Sequence, residues 1–337
     1  MSDIRVAVID DWQNIAAESA DWSALQQKAE IVFFQKNFPV GAEEEASKEL
    51  SNFDVILLMR ERSSLREPML KGLLRLKMIS ATGAKIPHID AAYCTEKGIV
   101  ISQSTASVAG YAAEMTLALM LAAARKVPMG DANMRAGKFQ DGLGLGTVLR
   151  GRTLGVIGLG KIGKDVALYG KALGMRVVAW SQNLTDENAE VVGVERVEKE
   201  QLLAQSDVVT LHLVLSERSR GVLGVKELGL MKEQAILVNT SRGPLVDENA
   251  LLEALNAGRI VAALDVYDEE PLPAEHPIRS APNTVLSPHL GFSTKEVFQG
   301  FYQGAIDNIV AFLDGSPSHV ANPEALKQPE KTQTRYN

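Results

Sequence analysis

The chain has 337 residues, of which 46% are hydrophobic and 23% are charged, and its formal net charge at pH 7 is −7. The length exceeds one ordinary hydrophobic core and predicts about two domains. An acidic surface gains nothing from the phosphates of nucleic acid or from an anionic membrane, so neither is expected as a partner.

Apolar runs typical of strands alternate with helical patterns along the whole chain, which predicts a doubly wound α/β fold. A long helix rich in Ala, Leu and Met is predicted at residues 107–125, and it contains the longest apolar run, Met115 to Ala124. This run is shorter than the ~20 residues of a membrane span, so we expect a buried helix. Before this helix, strands are predicted at residues 5–9, 30–34, 55–59, 78–81 and 100–102.

A glycine-rich turn follows the next predicted strand, residues 154–157. Gly158, Gly160 and Gly163 form the G-x-G-x-x-G spacing, and a helix is predicted from Lys161. The first glycine permits a tight turn, the second lets the backbone approach a pyrophosphate, and the third lets the helix pack against the strand. The helix N-terminus favours the phosphate charge. The turn therefore predicts a dinucleotide site.

The predicted dinucleotide domain lies inside the chain, at residues 104–290. Residues 1–103 and 291–327 are predicted to form a discontinuous substrate domain, to which a helix at residues 294–313 returns. Residues 328–337 are expected to be a polar tail. Further strands are predicted at residues 175–180, 208–213, 235–239, 261–266 and 284–287.

Five sequence blocks occur in an order that resembles the D-isomer-specific 2-hydroxyacid dehydrogenases. They are V-I-G-L-G-K-I-G, S-D-V-V-T-L-H-L, N-T-S-R-G-P-L-V-D, L-D-V-Y-D-E-E-P-L and S-P-H-L-G-F-S-T. The resemblance implies two doubly wound lobes with a cleft between them, a flavodoxin-like substrate domain and a Rossmann NAD(P)-binding domain. It also implies a homodimer formed through the dinucleotide domains, in which the helix at residues 107–125 is either the contact between subunits or an internal core helix.

The family uses an arginine, a glutamate and a histidine in catalysis, and the matching residues are Arg242, Glu270 and His289. The resemblance implies that Arg242 holds a substrate carboxylate bidentately and that His289 moves the proton of the 2-oxo oxygen. Glu270 would bond the other ring nitrogen and favour the protonated imidazole. Glu269 is the rival carboxylate, but the match places the catalytic glutamate immediately before Pro271.

The position after the second strand of the dinucleotide domain departs from the family pattern. An aspartate is usual there in NAD-preferring members, because its carboxylate bonds the ribose hydroxyls and repels a 2′-phosphate. Here Ser181 takes that place and no arginine follows it, so NAD and NADP both stay open as cofactors. Besides the three glycines, the expected cofactor-binding residues are Lys161, Ile162, Ser181, His212, Thr240 and Asp265.

The first domain contains the expected substrate-binding residues. Ala84 and Lys85 lie in T-G-A-K-I-P-H-I-D, where the family commonly has a glycine-rich turn that holds the substrate carboxylate. Arg60 resembles an arginine that faces substrate in phosphoglycerate dehydrogenases. Together Arg60 and Lys85 could bind a distal anion, although a solvated Lys85 is an equal alternative. No metal-binding motif is found, and the resemblance needs none.

The resemblance predicts an NAD(P)-dependent oxidoreductase that interconverts a small D-2-hydroxy acid and its 2-oxo acid. Phosphoglycerate oxidation is the leading substrate hypothesis, and a glyoxylate or hydroxypyruvate reductase is the alternative. A dinucleotide-sensing co-regulator of the same fold is the hypothesis from another class. The single cysteine, Cys94, and an N-terminus without a secretion pattern lead us to expect a cytoplasmic protein.

Overall fold

The computed structural model of the protein describes residues 4–106 and 108–327, so the predicted polar tail lies outside the described residues. The chain divides into two compact units. The first contains the described residues up to Val108 and from Thr294 onwards, and the second runs from Ala109 to Ser293. The sequence placed these boundaries after residues 103 and 290. The functions assigned to the two domains stay predictions.

The first unit is built on a five-stranded parallel sheet with the order β2-β1-β3-β4-β5, the order found in flavodoxin-like folds. Its strands are β1 (Arg5–Ile9), β2 (Glu30–Phe33), β3 (Val55–Leu58), β4 (Met78–Thr82) and β5 (Val100–Ser104). The central strands β3 and β4 are buried at every position, as expected for a parallel sheet covered on both faces. The helices between these strands are α1 (Ala16–Ser19), α2 (Ser23–Gln26), α3 (Glu43–Leu50), α4 (Glu67–Leu70) and α5 (Ala91–Lys97).

The second unit contains a seven-stranded parallel sheet. Its strands are β6 (Thr153–Ile157), β7 (Arg176–Trp180), β8 (Glu195–Arg196), β9 (Val208–Leu211), β10 (Ala235–Asn239), β11 (Ile260–Leu264) and β12 (Thr284–Leu286). They lie in the order β12-β11-β10-β9-β6-β7-β8, so the chain reverses its direction across the sheet between β6 and β9. This is the doubly wound order of dinucleotide-binding domains. The predicted α/β fold is confirmed, and β8 is a short strand that the sequence analysis did not predict.

Both faces of the second sheet are buried. Along β10, Ile236 and Val238 belong to one hydrophobic core, whereas Ala235 and Leu237 belong to another. Because successive side chains of a strand point to opposite faces, these two cores lie on the two sides of the sheet. The helices of this unit are α6 (Tyr111–Arg125), α7 (Val127–Arg135), α8 (Lys161–Ala172), α9 (Asp186–Glu190), α10 (Lys199–Gln205), α11 (Val225–Leu230) and α12 (Glu248–Asn256). Of these, α7 packs against α6 and has no buried residue.

Helix α6 corresponds to the predicted long helix but begins at Tyr111, after a left-handed Gly110. The predicted first residue, Ser107, lies outside the described residues. The helix packs against α8 and against β10, β11 and β12. Its Thr116 hydroxyl lies 2.7 Å from the hydroxyl of Thr240, just beyond β10. The helix therefore belongs to the core of its own unit.

The last helix, α13 (Lys295–Leu313), belongs to the first unit. Thr294 caps its N-terminus by accepting a hydrogen bond from the amide of Val297, as hydroxyl side chains do at this position. The helix packs against β4 and β5. There the hydroxyls of Ser80 and Ser104 donate to helix carbonyls. The C-terminal helix thus completes the layer on one face of the first sheet.

Candidate active site and cofactor pocket

Three neighbouring strands of the second unit end beside the predicted catalytic residues. Arg242 follows β10, Glu270 follows β11, and His289 follows β12. These strands are adjacent and parallel, so their carboxyl ends meet at one edge of the sheet. In open α/β sheets, ligands bind outside this edge.

Arg242 lies in a turn that is held by side-chain hydrogen bonds. The side-chain amide of Asn239 donates to the backbone carbonyl of Arg242 at 2.8 Å, and the hydroxyl of Ser241 donates to the backbone carbonyl of Leu211 at 2.8 Å. Gly243 follows, and a β-carbon at that position would collide with the backbone of Tyr267. Glycine is therefore required where the Arg242 turn packs against the segment that leads to Glu270.

Glu270 and His289 are in contact. The Glu270 Oε2 atom lies 2.5 Å from Nδ1 of His289. The Oε1 atom of Glu270 accepts a hydrogen bond from the Tyr267 amide at 2.9 Å, which fixes the orientation of the carboxylate. Since Nδ1 faces the carboxylate, Nε2 is the ring nitrogen that can exchange a proton with a ligand. The structure brings Glu270, rather than its rival Glu269, to the histidine.

Asp265 holds the loop that presents His289. Its Oδ1 atom accepts hydrogen bonds from the Ser287 hydroxyl at 2.6 Å and from the Leu290 amide at 2.7 Å. Its Oδ2 atom accepts one from the Gly291 amide at 2.7 Å. Burial raises the pKa of this carboxyl, and the hydrogen bond from Ser287 acts in the opposite direction. The contact of Asp265 with a nicotinamide stays a prediction. In the structure, Asp265 holds the loop that carries His289.

Tyr267 joins the same group of residues, and the sequence analysis did not single it out. Its hydroxyl donates to the carbonyl of Ser287 at 3.0 Å, while its amide binds Glu270. Burial raises the pKa of the Tyr267 hydroxyl to about 12, so it stays a hydrogen-bond donor at neutral pH. Tyr267 therefore ties the β11 loop to the loop that carries His289.

The predicted dinucleotide turn has the geometry that its three glycines require. Gly158 has a φ of 100°, and a β-carbon there would lie 2.6 Å from the carbonyl oxygen of His212. A β-carbon at Gly163 would collide with the carbonyl of Gly158, whereas one at Gly160 would meet no atom within 4 Å. The open side of the turn is thus at Gly160, where a pyrophosphate would approach the start of α8. Lys161 and Ile162 are exposed in the first turn of α8.

A pocket of about 500 Å³ opens beside this turn. It lies at the carboxyl ends of β6, β7 and β9, where the chain order across the sheet reverses, and this is the usual dinucleotide position. Gly158, Gly160, Ser181 and His212 all contribute to its wall. The residues present therefore fit a dinucleotide. Thr240 lies on the neighbouring strand end and pairs with Thr116.

His212 is a buried neutral histidine. Neither ring nitrogen has a hydrogen-bond partner among the described residues, although the residue as a whole is partly exposed. Burial of the ring lowers the pKa of His212 to about 3. The side chain is therefore uncharged in the folded protein at neutral pH.

This burial predicts acid sensitivity. Between pH 6.5 and about pH 3 the unfolded chain binds a proton at His212 that the folded protein does not, so stability falls as the pH drops below 6.5. Between pH 8 and pH 5, His212 should lower the free energy of unfolding of the unaltered protein by about 2 kcal/mol. The replacement His212→Leu should abolish this part of the decrease. Urea unfolding of both proteins at the two pH values measures this difference. An equal decrease in the free energy of unfolding of both proteins would contradict this effect of His212.

The predicted substrate residues lie at the carboxyl edge of the first unit's own sheet. Arg60 follows β3, has a φ of 60°, and donates its amide to the hydroxyl of Thr82 at 2.8 Å. Its guanidinium lies against Gly83, and Ala84 and Lys85 are exposed in the following turn. The structure thus brings Arg60 and the 83–85 turn together within the first unit.

Within residues 4–106 and 108–327, no three His, Cys, Asp or Glu residues form a group that could hold a metal ion. No helix there combines the length and the apolar character needed to cross a membrane.

Comparisons with known proteins agree with this geometry. Residues 117–291 match the sequence model of a family described as "D-isomer specific 2-hydroxyacid dehydrogenase, NAD binding domain". The glyoxylate reductase of Aeropyrum pernix is 40% identical over 262 residues, which cover 75% of this chain and 78% of that protein. The D-3-phosphoglycerate dehydrogenase of Archaeoglobus fulgidus is 37% identical over 275 residues, 81% of this chain and 52% of that protein.

Solved structures show the same similarity over nearly the whole chain. A structure titled as a putative D-3-phosphoglycerate dehydrogenase from Ralstonia solanacearum has a TM-score of 0.89 and 36% identity, and the match covers 97% of this chain and 98% of that one. The chain spans about half the length of the curated phosphoglycerate dehydrogenases from Archaeoglobus fulgidus and Methanocaldococcus jannaschii. The dinucleotide site predicted from the glycine turn falls inside the matched NAD-binding domain.

Proposed function

Because the chain belongs to the D-isomer-specific 2-hydroxyacid dehydrogenase family, we propose that it interconverts a small D-2-hydroxy acid and its 2-oxo acid. The observation that carries this proposal is the contact between Glu270 and His289. This contact lies at the carboxyl edge of the second unit's sheet, where Arg242 and the dinucleotide turn also lie. A bound nicotinamide supplies the hydride for reduction or accepts it in oxidation.

Each of the three catalytic residues has a distinct task in this proposal. The planar guanidinium of Arg242 binds the substrate carboxylate through two parallel hydrogen bonds and orients the adjacent carbonyl. During reduction, Nε2 of His289 would donate a proton to the 2-oxo oxygen, and during oxidation the same nitrogen would take a proton from the 2-hydroxyl group. Glu270 stabilises the protonated ring through Nδ1. Asp265 and Tyr267 position the loops without touching the reacting atoms.

The test of this function is oxidation of reduced cofactor by a panel of 2-oxo acids. NADH and NADPH are supplied separately with glyoxylate, hydroxypyruvate, phosphohydroxypyruvate and pyruvate, and the loss of reduced-nicotinamide absorbance is followed. Turnover of at least one acid supports the proposal. Binding of dinucleotide without turnover of any acid would contradict it and would favour a sensing protein.

We propose phosphohydroxypyruvate and 3-phosphoglycerate as the leading substrate pair, with glyoxylate or hydroxypyruvate as the alternative, because both kinds of enzyme occur among the similar proteins. Arg60 and Lys85 would bind the distal phosphate. The replacement Lys85→Gln should then lower kcat/KM for phosphohydroxypyruvate about tenfold, a loss of about 1.4 kcal/mol, and leave that for hydroxypyruvate nearly unchanged. Equal effects on the two substrates would contradict this role.

We also propose that the protein is a homodimer. Large apolar side chains are exposed along α7 and the segment after it, where a second copy could cover them. The double replacement Phe139→Ser and Leu145→Ser should convert the dimer into a monomer, as measured by light scattering after size-exclusion chromatography. A monomeric unaltered protein would contradict the proposal. The exposed residues are Val127, Met129, Met134, Phe139, Leu145 and Val148.

A cytoplasmic location is the last part of the proposal. The single cysteine, Cys94, is buried, and burial raises the pKa of its thiol to about 12. A reduced, unreactive thiol suits a reducing compartment. Fractionation of cells followed by detection of the protein tests this location.

A further inference from the structure

The described residues that line the cofactor pocket carry positive charge, and none of them has a carboxylate side chain. Among the described residues that line it, the charged side chains are Lys164 and Arg218. Lys164 lies in the first half of α8, close to the dinucleotide turn. Arg218 comes from the loop after β9, which is 37 positions beyond Ser181 in the sequence. No arginine follows Ser181 in the sequence, but the fold places Arg218 in the same pocket.

Arg218 is available to a ligand. Its side chain makes no hydrogen bond or ion pair with residues 4–106 or 108–327, and the residue is exposed. Two other cations near this end of the sheet, Lys199 and Arg196, are engaged within the protein. Lys199 pairs with Glu227 at 2.9 Å, and Arg196 donates to the carbonyl of Leu184 at 2.9 Å. Arg218 thus faces the pocket with a guanidinium that is unpaired among the described residues.

The loop that carries Arg218 is held in place by Ser219. The Ser219 hydroxyl donates to the carbonyl of Val214 at 2.7 Å and accepts a hydrogen bond from the Ser216 amide at 2.8 Å. Ser219 is only 8% exposed. These bonds close the loop on itself, so Arg218 is presented from an ordered turn and a ligand need not order it.

On the opposite wall, Ser181, Gln182 and Asn183 follow β7 and line the same pocket. This is the strand end at which dinucleotide-binding domains contact the adenosine ribose. Hydroxyl and amide side chains can donate hydrogen bonds to a phosphate, and none of the three carries the negative charge that would repel one. The two walls together offer a cation and neutral donors.

We propose that the pocket accepts the 2′-phosphate of NADP and that Arg218 is the residue that determines this specificity. The inference rests on the proposed function, because it assigns the adenosine end of the same cofactor. Arg218 would bind the phosphate oxygens through its guanidinium, while the residues after β7 complete the contact. The protein should consequently use NADPH as well as NADH.

Isothermal titration calorimetry with NAD⁺, NADP⁺, 5′-AMP and adenosine 2′,5′-bisphosphate tests this inference without turnover. The unaltered protein should bind NADP⁺ within about tenfold of NAD⁺. The replacement Arg218→Gln should raise the ratio of the NADP⁺ and NAD⁺ dissociation constants about tenfold, equivalent to about 1.4 kcal/mol. The two nucleotide fragments should show the same change in their ratio.

Two further variants sharpen the test. Arg220→Gln is the matched control, because Arg220 is an exposed arginine of the same loop that does not line the pocket, and it should leave the ratio unchanged. Ser181→Asp should raise the ratio by restoring the repelling carboxylate. An unchanged ratio in Arg218→Gln, or an equal change in Arg220→Gln, would overturn the role of Arg218.

Binding of the two dinucleotides to the unaltered protein distinguishes a wrong cofactor specificity from a wrong cofactor site. If the unaltered protein binds NAD⁺ but not NADP⁺, the inference is overturned and the proposed dehydrogenase stands. If neither dinucleotide binds, the pocket is not a cofactor site, and both proposals are overturned.

Discussion

Replacing His289 by asparagine is expected to lower kcat for 2-oxo acid reduction by about 10²- to 10⁴-fold, the usual contribution of a general acid. Asparagine is chosen because His289 has a φ of 54°, a left-handed conformation that asparagine adopts more readily than alanine. The fold and the dinucleotide pocket should therefore survive. Steady-state kinetics together with calorimetry of NADH binding separate the loss of proton transfer from the loss of cofactor.

A matched control is available within the chain. His319 also has a left-handed backbone, with a φ of 50°, and it bonds the side chain of Asn308 in the first unit at 2.8 Å. The replacement His319→Asn should leave kcat within about twofold, since the change lies outside the proposed catalytic group. A similar loss of kcat in both variants would indicate that the histidine at 289 has no special catalytic role.

Replacing Arg242 by lysine is expected to lower kcat/KM by about 10²- to 10³-fold. Lysine keeps the charge but cannot form two parallel hydrogen bonds with a carboxylate. The loss of one charge-assisted hydrogen bond accounts for about 1.5 to 3 kcal/mol of this effect, and the less precise orientation of the substrate accounts for the rest. We expect KM to rise and kcat to fall together, because the carboxylate is held in the ground state and also orients the reacting carbonyl.

Arg220→Lys serves as the control for this variant, because Arg220 is an exposed arginine of the same unit. Its kinetics should match those of the unaltered protein. Full activity of Arg242→Lys would show that one positive charge is sufficient at this position. It would contradict the proposal that Arg242 binds the carboxylate through two hydrogen bonds.

Local sequence patterns predicted the strands and the dinucleotide turn well. The strand predicted at residues 235–239 matches β10 at both ends, because a strand buried on both faces leaves a strong apolar signal. The glycine spacing placed the start of α8 at Lys161, where the structure has it. Both features depend on residues that are close in sequence, so one short window contains the information.

The features that the sequence did not reveal depend on the order of strands in the sheet. Asp265 and the amides of Leu290 and Gly291 meet because β11 and β12 are neighbours. Arg218 reaches the pocket of Ser181 because β9 and β7 flank β6. No local pattern marks such pairs, since their sequence separation is large and the side chains are common surface types. Strand β8 has only two residues and leaves no apolar run.

We propose that the Glu270 and His289 pair serves the oxidation of D-2-hydroxy acids by a nicotinamide dinucleotide. The most direct measurement offers the oxidised cofactor with the D and L enantiomers of glycerate, lactate and phosphoglycerate and follows the appearance of reduced-nicotinamide absorbance. We predict turnover of at least one D enantiomer and none of its L counterpart. Turnover of the L enantiomers, or of none of these acids, would show that the pair does not serve this reaction.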